Sequence, residues 1–134
     1  MKSAPAISIF LMVATQALAQ QQGLSPAQNL EGQNLEGHAA VDRLVGNTMT
    51  GTSGGVAYFA YYERSGTVKM QRGKEVASGQ WSRDGESLCE EFPDDDDETC
   101  YMIKLDPDGV EGTMTDADGT EYGIEILPGN PQKL

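Results

Sequence analysis

The pattern of apolar and polar positions changes at Gly46. Beyond it, short runs rich in Val, Ile, Tyr and Thr alternate with turn sequences every ~8–12 residues, as in all-β sandwiches and barrels. The pattern predicts eight strands, at residues 47–51, 56–62, 67–71, 75–82, 86–92, 99–105, 110–115 and 121–127. Because every connection is short, each strand should pair with its sequence neighbour, and parallel crossovers have no room. We therefore predict an all-β fold, an antiparallel meander that forms a small calycin-like barrel or a sandwich.

The segment before these strands carries a weaker, helical pattern. Apolar residues recur at roughly helical spacing over 38–45, and Gly46 stands just past the end, where a helix commonly stops. The pattern predicts a short helical turn that plugs one end of a barrel. We place the barrel domain at residues 38–131.

The first residues have the pattern of an export signal. Met1-Lys2 precedes an apolar run over residues 6–13, and Ala17-Leu18-Ala19 is typical of a cleavage site. The run is shorter than the ~20 residues that span a bilayer. We predict a signal peptide at residues 1–19, with a retained amphipathic leader helix as the alternative.

Residues 20–37 predict a flexible linker. Gln, Asn, Gly and Ser dominate this stretch, and the sequence Gln-Asn-Leu-Glu-Gly occurs twice in succession. Few large apolar groups are present to offset the entropy lost on ordering. Two copies of five residues are also too few for a repeat fold.

Two hairpins have a predictable register. Cys89 opposite Cys100 places Leu88 opposite Tyr101 on one face, and it leaves the cysteines on the more polar face. In the last hairpin, a three-residue turn at 117–119 pairs Met114 with Tyr122. The predicted core consists of Val56, Tyr58, Phe59, Val68, Val76, Trp81, Leu88, Phe92, Tyr101, Ile103, Leu105, Val110, Met114, Tyr122, Ile124 and Ile126.

Charge and cysteine content narrow the function classes. The formal net charge of −12 argues against nucleic acid and anionic membrane surfaces as partners, and it favours cationic partners or simple solubility. Two cysteines in an exported chain predict one disulfide between Cys89 and Cys100, with free thiols as the alternative. We expect a monomer without membrane insertion, in the periplasm or outside the cell.

The segment between the cysteines is the most acidic of the chain. Seven of the ten intervening residues are Asp or Glu. The candidate partner-binding residues lie in the apex, at Asp94, Asp95, Asp96, Asp97 and Glu98. We weigh a solvated apex that serves solubility, a docking patch for a basic protein, and a calcium site. The spacing of an EF-hand loop is absent, so no metal ligands are assigned.

Aromatic residues suggest a second kind of site. Tyr58, Trp81, Tyr101 and Tyr122 are candidates to line a ligand cavity inside a barrel, although aromatic positions of this kind more often form the core. Gly79-Gln80-Trp81 is similar to the Gly-x-Trp motif of lipocalins. That motif opens the first lipocalin strand, whereas here it falls on the fourth predicted strand.

Catalysis has little support in the sequence. His38 is the only histidine and lies near the predicted linker, which leaves no basis for a nucleophile–histidine triad. The two cysteines are too far apart for a Cys-x-x-Cys redox motif. We predict no enzyme activity, no catalytic residues and no cofactor.

Several short motifs taken in order resemble a class of small exported bacterial proteins that carry a domain of unknown function. These motifs are Val45-Gly46-Asn47-Thr48, Tyr61-Tyr62, Ser65-Gly66-Thr67-Val68, Gly79-Gln80-Trp81, Leu88-Cys89, Cys100-Tyr101 and Leu127-Pro128-Gly129-Asn130-Pro131. The resemblance implies a compact β-rich domain with one disulfide, and it implies no catalytic or ligand residues. The long acidic insert and the Gln-Asn-Leu-Glu-Gly repeat depart from that pattern.

These observations lead to one leading hypothesis and two alternatives. We expect a secreted, non-enzymatic binding module of the cell envelope that docks or inhibits a cationic protein through the acidic apex. The first alternative is a carrier of small hydrophobic ligands, of lipocalin- or avidin-like type. The second alternative is a structural domain that calcium stabilises.

Overall fold

The computed structural model describes residues 32–134. The predicted signal peptide and residues 20–31 of the predicted linker lie outside the described residues. The described part contains one helix and nine strands. These are β1 (Leu35–Glu36), α1 (His38–Leu44), β2 (Thr48–Ser53), β3 (Val56–Tyr62), β4 (Thr67–Arg72), β5 (Glu75–Asp84), β6 (Ser87–Glu91), β7 (Thr99–Leu105), β8 (Glu111–Thr115) and β9 (Glu121–Leu127).

Strands β2 to β9 form a closed antiparallel barrel. Each strand pairs with the next, and β2 also pairs with β9, with Met49 opposite Ile126. The prediction of an all-β meander is confirmed, and closure decides for a barrel rather than a sandwich. Strand β1 is an addition, with Leu35 opposite Leu105 of β7. The sheet therefore includes two residues of the segment predicted as linker.

The two ends of the barrel differ. The helix α1, which precedes β2, buries Ala40, Val41 and Leu44 in the barrel core, as a plug requires. Gly46 follows with φ of 81°, a conformation that glycine adopts without strain. We call this the helix end. The connections β2–β3, β4–β5, β6–β7 and β8–β9 all lie at the opposite end, which we call the open end.

The predicted hairpin registers are confirmed. Leu88 lies opposite Tyr101, Cys89 forms a disulfide with Cys100, and Met114 lies opposite Tyr122. Cys89 is fully buried and Cys100 is half-buried, so the disulfide is less exposed than a polar face suggests. The buried apolar residues are Ala40, Val41, Leu44, Met49, Tyr58, Ala60, Tyr62, Val68, Leu88, Cys89, Ile103, Leu105, Ile124 and Ile126.

The core prediction was wrong at Phe59 and at two valines. Phe59 is half-buried on the outer face of β3, because Tyr58 and Tyr62 turn inward. Val76 is 66% exposed, because the alternation that turns Gly79 inward places Val76 on the outer face of β5. Val56 is 37% exposed, because it directly follows the β2–β3 turn at the open end, where solvent reaches it. The fully buried Met49 and Tyr62 were missing from the predicted core.

No helix in residues 32–134 has the length and apolar content needed to cross a membrane. The Cys89–Cys100 disulfide fits a non-cytoplasmic, oxidising compartment, because reducing pools keep such thiols free in the cytosol.

Reduction of the disulfide is expected to lower the thermal midpoint. The cysteines are 11 residues apart, and closing a loop of this size stabilises the fold by roughly 3 kcal/mol in the chain-entropy treatment. In a domain of about 100 residues, where 1 kcal/mol shifts the midpoint by roughly 4 °C or more, this predicts a drop of about 10 °C or more. Calorimetry with and without excess reductant measures the shift. The Cys89→Ala/Cys100→Ala variant is the control, and an unchanged midpoint of the native protein contradicts the prediction.

Candidate functional site

The barrel interior holds a cavity of about 170 Å³ in its open half. Its lining comes from inward positions on seven of the eight barrel strands. The lining residues are Met49, Ser53, Tyr58, Tyr62, Met70, Arg72, Glu90, Tyr101, Met114 and Tyr122. The cavity thus combines aromatic rings and thioethers with one carboxylate and one guanidinium.

Burial runs as a gradient from a closed floor to an accessible rim. On the floor, Met49 and Tyr62 are each 1% exposed and Glu90 is 7% exposed. At the rim, Arg72 is exposed and its Nη2 donates a hydrogen bond to the Ser53 carbonyl oxygen at 2.8 Å. The cavity therefore opens at the end of the barrel opposite α1.

A buried carboxylate–phenol pair forms the floor. Alternation from Leu88 turns Glu90 inward on β6, and the Tyr62 hydroxyl on β3 donates to its Oε1. Within residues 32–134, Oε2 makes no hydrogen bond, and no fully buried side-chain nitrogen or oxygen lacks a partner. Oε2 is therefore not fully enclosed, and because Glu90 lines the cavity we infer that this oxygen faces it.

The environment of Glu90 favours its neutral form. Burial raises the pKa of this carboxyl above its ordinary value, and the hydrogen bond from Tyr62 lowers it in part. The same burial, followed by the nearby Glu90 charge, raises the pKa of Tyr58 and of Tyr101 to about 12. These phenols therefore stay protonated, as hydrogen-bond donors, at neutral pH.

The absence of a side chain at Gly51 leaves room for the Tyr58 ring. Gly51 lies opposite Tyr58 in the β2–β3 register, and a Cβ there would lie 2.8 Å from the Tyr58 hydroxyl. The same Cβ would lie 2.9 Å from the Gly123 carbonyl oxygen of β9. Without a side chain at 51, the Tyr58 hydroxyl can rest against β2, inside the barrel and 3.8 Å from the Met49 sulfur.

A second phenol is fixed at the rim. The Tyr122 hydroxyl donates to Asp116 Oδ2 at 3.1 Å, and this hydrogen bond raises the pKa of Tyr122. Asp116 also accepts from the backbone amides of Asp118 and Thr120, which orders the β8–β9 turn beside the opening.

The structure brings three of the four candidate aromatic residues together. Tyr58, Tyr101 and Tyr122 all line the cavity. Trp81 lies outside this lining, where its indole N–H donates to the Glu63 carbonyl oxygen at 2.7 Å. Its ring meets the Tyr62 ring edge to face, with centroids 6.4 Å apart, so Trp81 supports the floor from behind.

The acidic apex lies at the open end, on the β6–β7 connection. Asp94, Asp95, Asp96, Asp97 and Glu98 are all exposed. None of them takes part in an ion pair within the described range. The alternating direction of the strands therefore places the apex and the cavity opening at the same end of the barrel, a proximity that the sequence analysis did not anticipate.

The apex does not form a preorganised ligand set for calcium. In residues 32–134, the one group of three His, Cys, Asp or Glu side chains whose ligand atoms lie within 4.8 Å is Cys89, Glu98 and Cys100. Its two sulfurs are joined in the disulfide. Calcium prefers six to eight oxygen ligands, which this group does not supply.

Sequence reasoning missed Glu90, the most distinctive residue of the cavity. A signal was present, because the alternation that turns Leu88 and Phe92 inward also turns Glu90 inward. Its partner Tyr62 is 28 residues away in the chain, so the pairing has no local signature.

Comparison with known protein families, with curated proteins and with solved structures finds no match to this chain. The resemblance to small exported bacterial proteins stays a prediction.

Replacement of Glu90 by Gln is expected to flatten the pH dependence of stability. Because the pKa of Glu90 is raised in the fold, the folded protein keeps a proton that the unfolded chain loses near pH 4.5. Stability should therefore fall as pH rises from that value through the folded pKa. The glutamine amide cannot ionise and still accepts from Tyr62, so the Glu90→Gln variant should gain several degrees in thermal midpoint over the native protein by about pH 8.

Thermal melts across this pH range test the prediction. Glu91→Gln is the matched control, since Glu91 is the exposed neighbour on the opposite face, and its curve should follow the native one. Tyr58, Tyr62 and Tyr101 have raised pKa values and do not titrate in this window. Parallel curves for the native protein and Glu90→Gln would show that Glu90 does not carry the pH dependence.

Proposed function

We propose that this protein is a non-enzymatic binding protein that takes a small ligand into the open end of its barrel. The observation that supports this most directly is the cavity between Tyr58, Tyr101 and Tyr122, with Glu90 on its floor. Its volume of about 170 Å³ is close to that of a cavity of about 150 Å³ that binds benzene. One ring-sized group therefore fits inside, and the rest of a larger ligand stays at the rim.

The lining favours a ligand with both an apolar and a polar part. Tyr rings and Met thioethers offer apolar contact, while phenol hydroxyls and the Glu90 carboxylate offer hydrogen bonds. A wholly apolar ligand would leave the open oxygen of Glu90 without a partner, at an energetic cost. For this reason we modify the alternative of a hydrophobic-ligand carrier toward a carrier of amphipathic molecules.

Binding is favoured over catalysis because no histidine or cysteine of residues 32–134 lines the cavity, and these residue types often act as base or nucleophile. His38 lies on α1 at the helix end, away from the opening, and Cys89 and Cys100 are joined in a disulfide. The disulfide, together with the predicted signal peptide, also supports a periplasmic or extracellular location.

The acidic apex supports a second candidate function, the docking of a cationic protein such as a basic cell-wall hydrolase. Five exposed carboxylates project at the end of a hairpin whose base the disulfide holds. Such a surface attracts a positively charged partner through long-range electrostatics, which weaken as salt is added.

Filling the cavity is expected to abolish ligand binding. Met114 points into the barrel, so the Met114→Trp variant should occupy the space and reduce binding of ring-sized probes such as benzyl alcohol by at least about tenfold. Met102→Trp is the matched control, because Met102 is 48% exposed and belongs to the outer face of β7. NMR titration of the cavity tyrosines measures binding. Equal binding by both folded variants would place the ligand elsewhere.

Removing the charge of the apex is expected to abolish docking. Replacement of Asp94 to Asp97 by Asn should remove salt-sensitive capture of basic envelope proteins, because the attraction depends on these charges. Pull-down at low and high salt provides the measurement. The control variant loses four exposed carboxylates that lie toward the helix end, by changing Glu86, Glu111 and Glu125 to Gln and Asp84 to Asn. Unchanged capture by the apex variant would rule out docking through this loop.

A further inference from the structure

We propose that the ligand is an organic cation, whose ammonium group is held by Glu90 and the tyrosine rings in the cavity and is attracted by the carboxylates around the open end. This inference rests on the proposed function, because it names the chemical class of the ligand that the cavity takes. It combines two features of the open end, the cavity inside the barrel and the acidic apex on the β6–β7 connection.

Glu90 has no counter-charge among residues 32–134. A carboxylate that is 7% exposed is costly to ionise unless a cation pairs with it. The ion pairs in the described part of the chain are Lys69–Glu63, Arg83–Asp42 and Lys104–Glu36, so none of them neutralises Glu90. Its described partner is the neutral hydroxyl of Tyr62. An ammonium group in the cavity would supply the missing charge at Oε2, the oxygen open to that space.

Aromatic rings form much of the cavity wall around Glu90. Tyr58, Tyr101 and Tyr122 line the same cavity as Glu90. The faces of aromatic rings attract cations, and this attraction is stronger in a site shielded from water. A carboxylate together with several aromatic rings is therefore a favourable environment for an ammonium group and a poor one for an anion.

Arg72 is the positively charged residue in the lining, and its position agrees with this assignment. It is exposed at the rim, where its Nη2 donates to the Ser53 carbonyl oxygen. Glu90 lies on the buried floor. An anionic ligand held by Arg72 would stay at the opening, because its deeper part would meet the Glu90 carboxylate. The structure thus offers an anion only a peripheral place.

Carboxylates at the open end create a negative electrostatic field around the cavity opening. The exposed apex from Asp94 to Glu98 and the β8–β9 turn with Asp116 and Asp118 lie at the open end, and the whole chain has a formal net charge of −12. The carboxylates at this end outnumber the basic side chains of Arg72 and Lys74. An excess of one charge around a cleft raises the local concentration of oppositely charged ligands and their association rate. The rim should therefore control the association rate, while Glu90 controls the dissociation rate.

The main experiment compares three probes of similar shape and different charge. Calorimetric titration of the native protein with benzylammonium, benzyl alcohol and benzoate gives three affinities. Benzylammonium is expected to bind at least about tenfold more tightly than benzyl alcohol, with benzoate the weakest. Glu90→Gln should reduce benzylammonium binding to the level of benzyl alcohol, whereas Glu91→Gln should stay within about twofold of the native protein.

The outcomes separate this inference from the proposed function. If benzyl alcohol or benzoate binds in the cavity as tightly as benzylammonium, the cation assignment is overturned and ligand binding stands. If neither the three probes nor a pentalysine peptide binds, both proposals fail. Should Glu90→Gln not fold, Glu90→Met, which has a similar length and no charge, takes its place.

A pentalysine peptide distinguishes a free amine from a lysine side chain as the source of the cation. Binding of the peptide but not of benzylammonium, with loss of binding in Glu90→Gln, supports the cation and assigns it to a protein partner. Binding of the peptide that Glu90→Gln leaves unchanged would place the peptide on the surface and overturn the role of Glu90.

Kinetics test the division of roles between rim and floor. Stopped-flow measurement should show that replacing Asp94 to Asp97 by Asn lowers the association rate of benzylammonium severalfold at low salt, with little effect on its dissociation rate. Glu90→Gln should show the reverse pattern, with faster dissociation. An association rate that does not respond to the rim variant overturns the role of the rim.

Discussion

The pairing of β2 with β9 is the constraint on which the rest of the structure depends. It closes the sheet, so that alternation along each strand decides which side chains share the interior. An eight-stranded barrel has an interior that side chains can just fill. Here α1 and apolar residues such as Leu88 and Ile103 fill the helix end. Tyrosines and methionines leave space at the other end, and Glu90 reaches that space only because the ring of strands is complete.

Much of the fold could be predicted because the residues that determine its strands, turns and hairpin registers lie close together in the sequence. Turn sequences rich in Gly and Asp separate the strands, and two strong markers set their registers. Cys89 and Cys100 fix one hairpin, and the turn before Gly119, which has φ of 86°, fixes another. Short connections then leave little choice of topology. The helix over 38–44 followed from helical spacing and the glycine behind it.

The cavity could not be predicted to the same extent, because it depends on contacts between distant strands. Both faces of β3 carry aromatic residues, so the pattern could not show that Tyr58 and Tyr62 turn inward while Phe59 turns outward. A carboxylate such as Glu90 is ordinarily assigned to the surface, although alternation indicated the interior. Its hydrogen bond with Tyr62 depends on closure of the barrel, which brings β3 and β6 to face each other across the interior.

Because α1 covers the helix end, a ligand enters and leaves the cavity through the open end. This route affects the rate of ligand exchange. A molecule that only blocks this opening lowers the association rate and the dissociation rate of the ligand by the same factor. The equilibrium occupancy of the cavity is then unchanged. A basic protein bound to the acidic apex, Asp94 to Glu98, would block the opening in this way. The two proposed activities would then be coupled, because a basic protein bound to the apex would set the residence time of the ligand in the cavity.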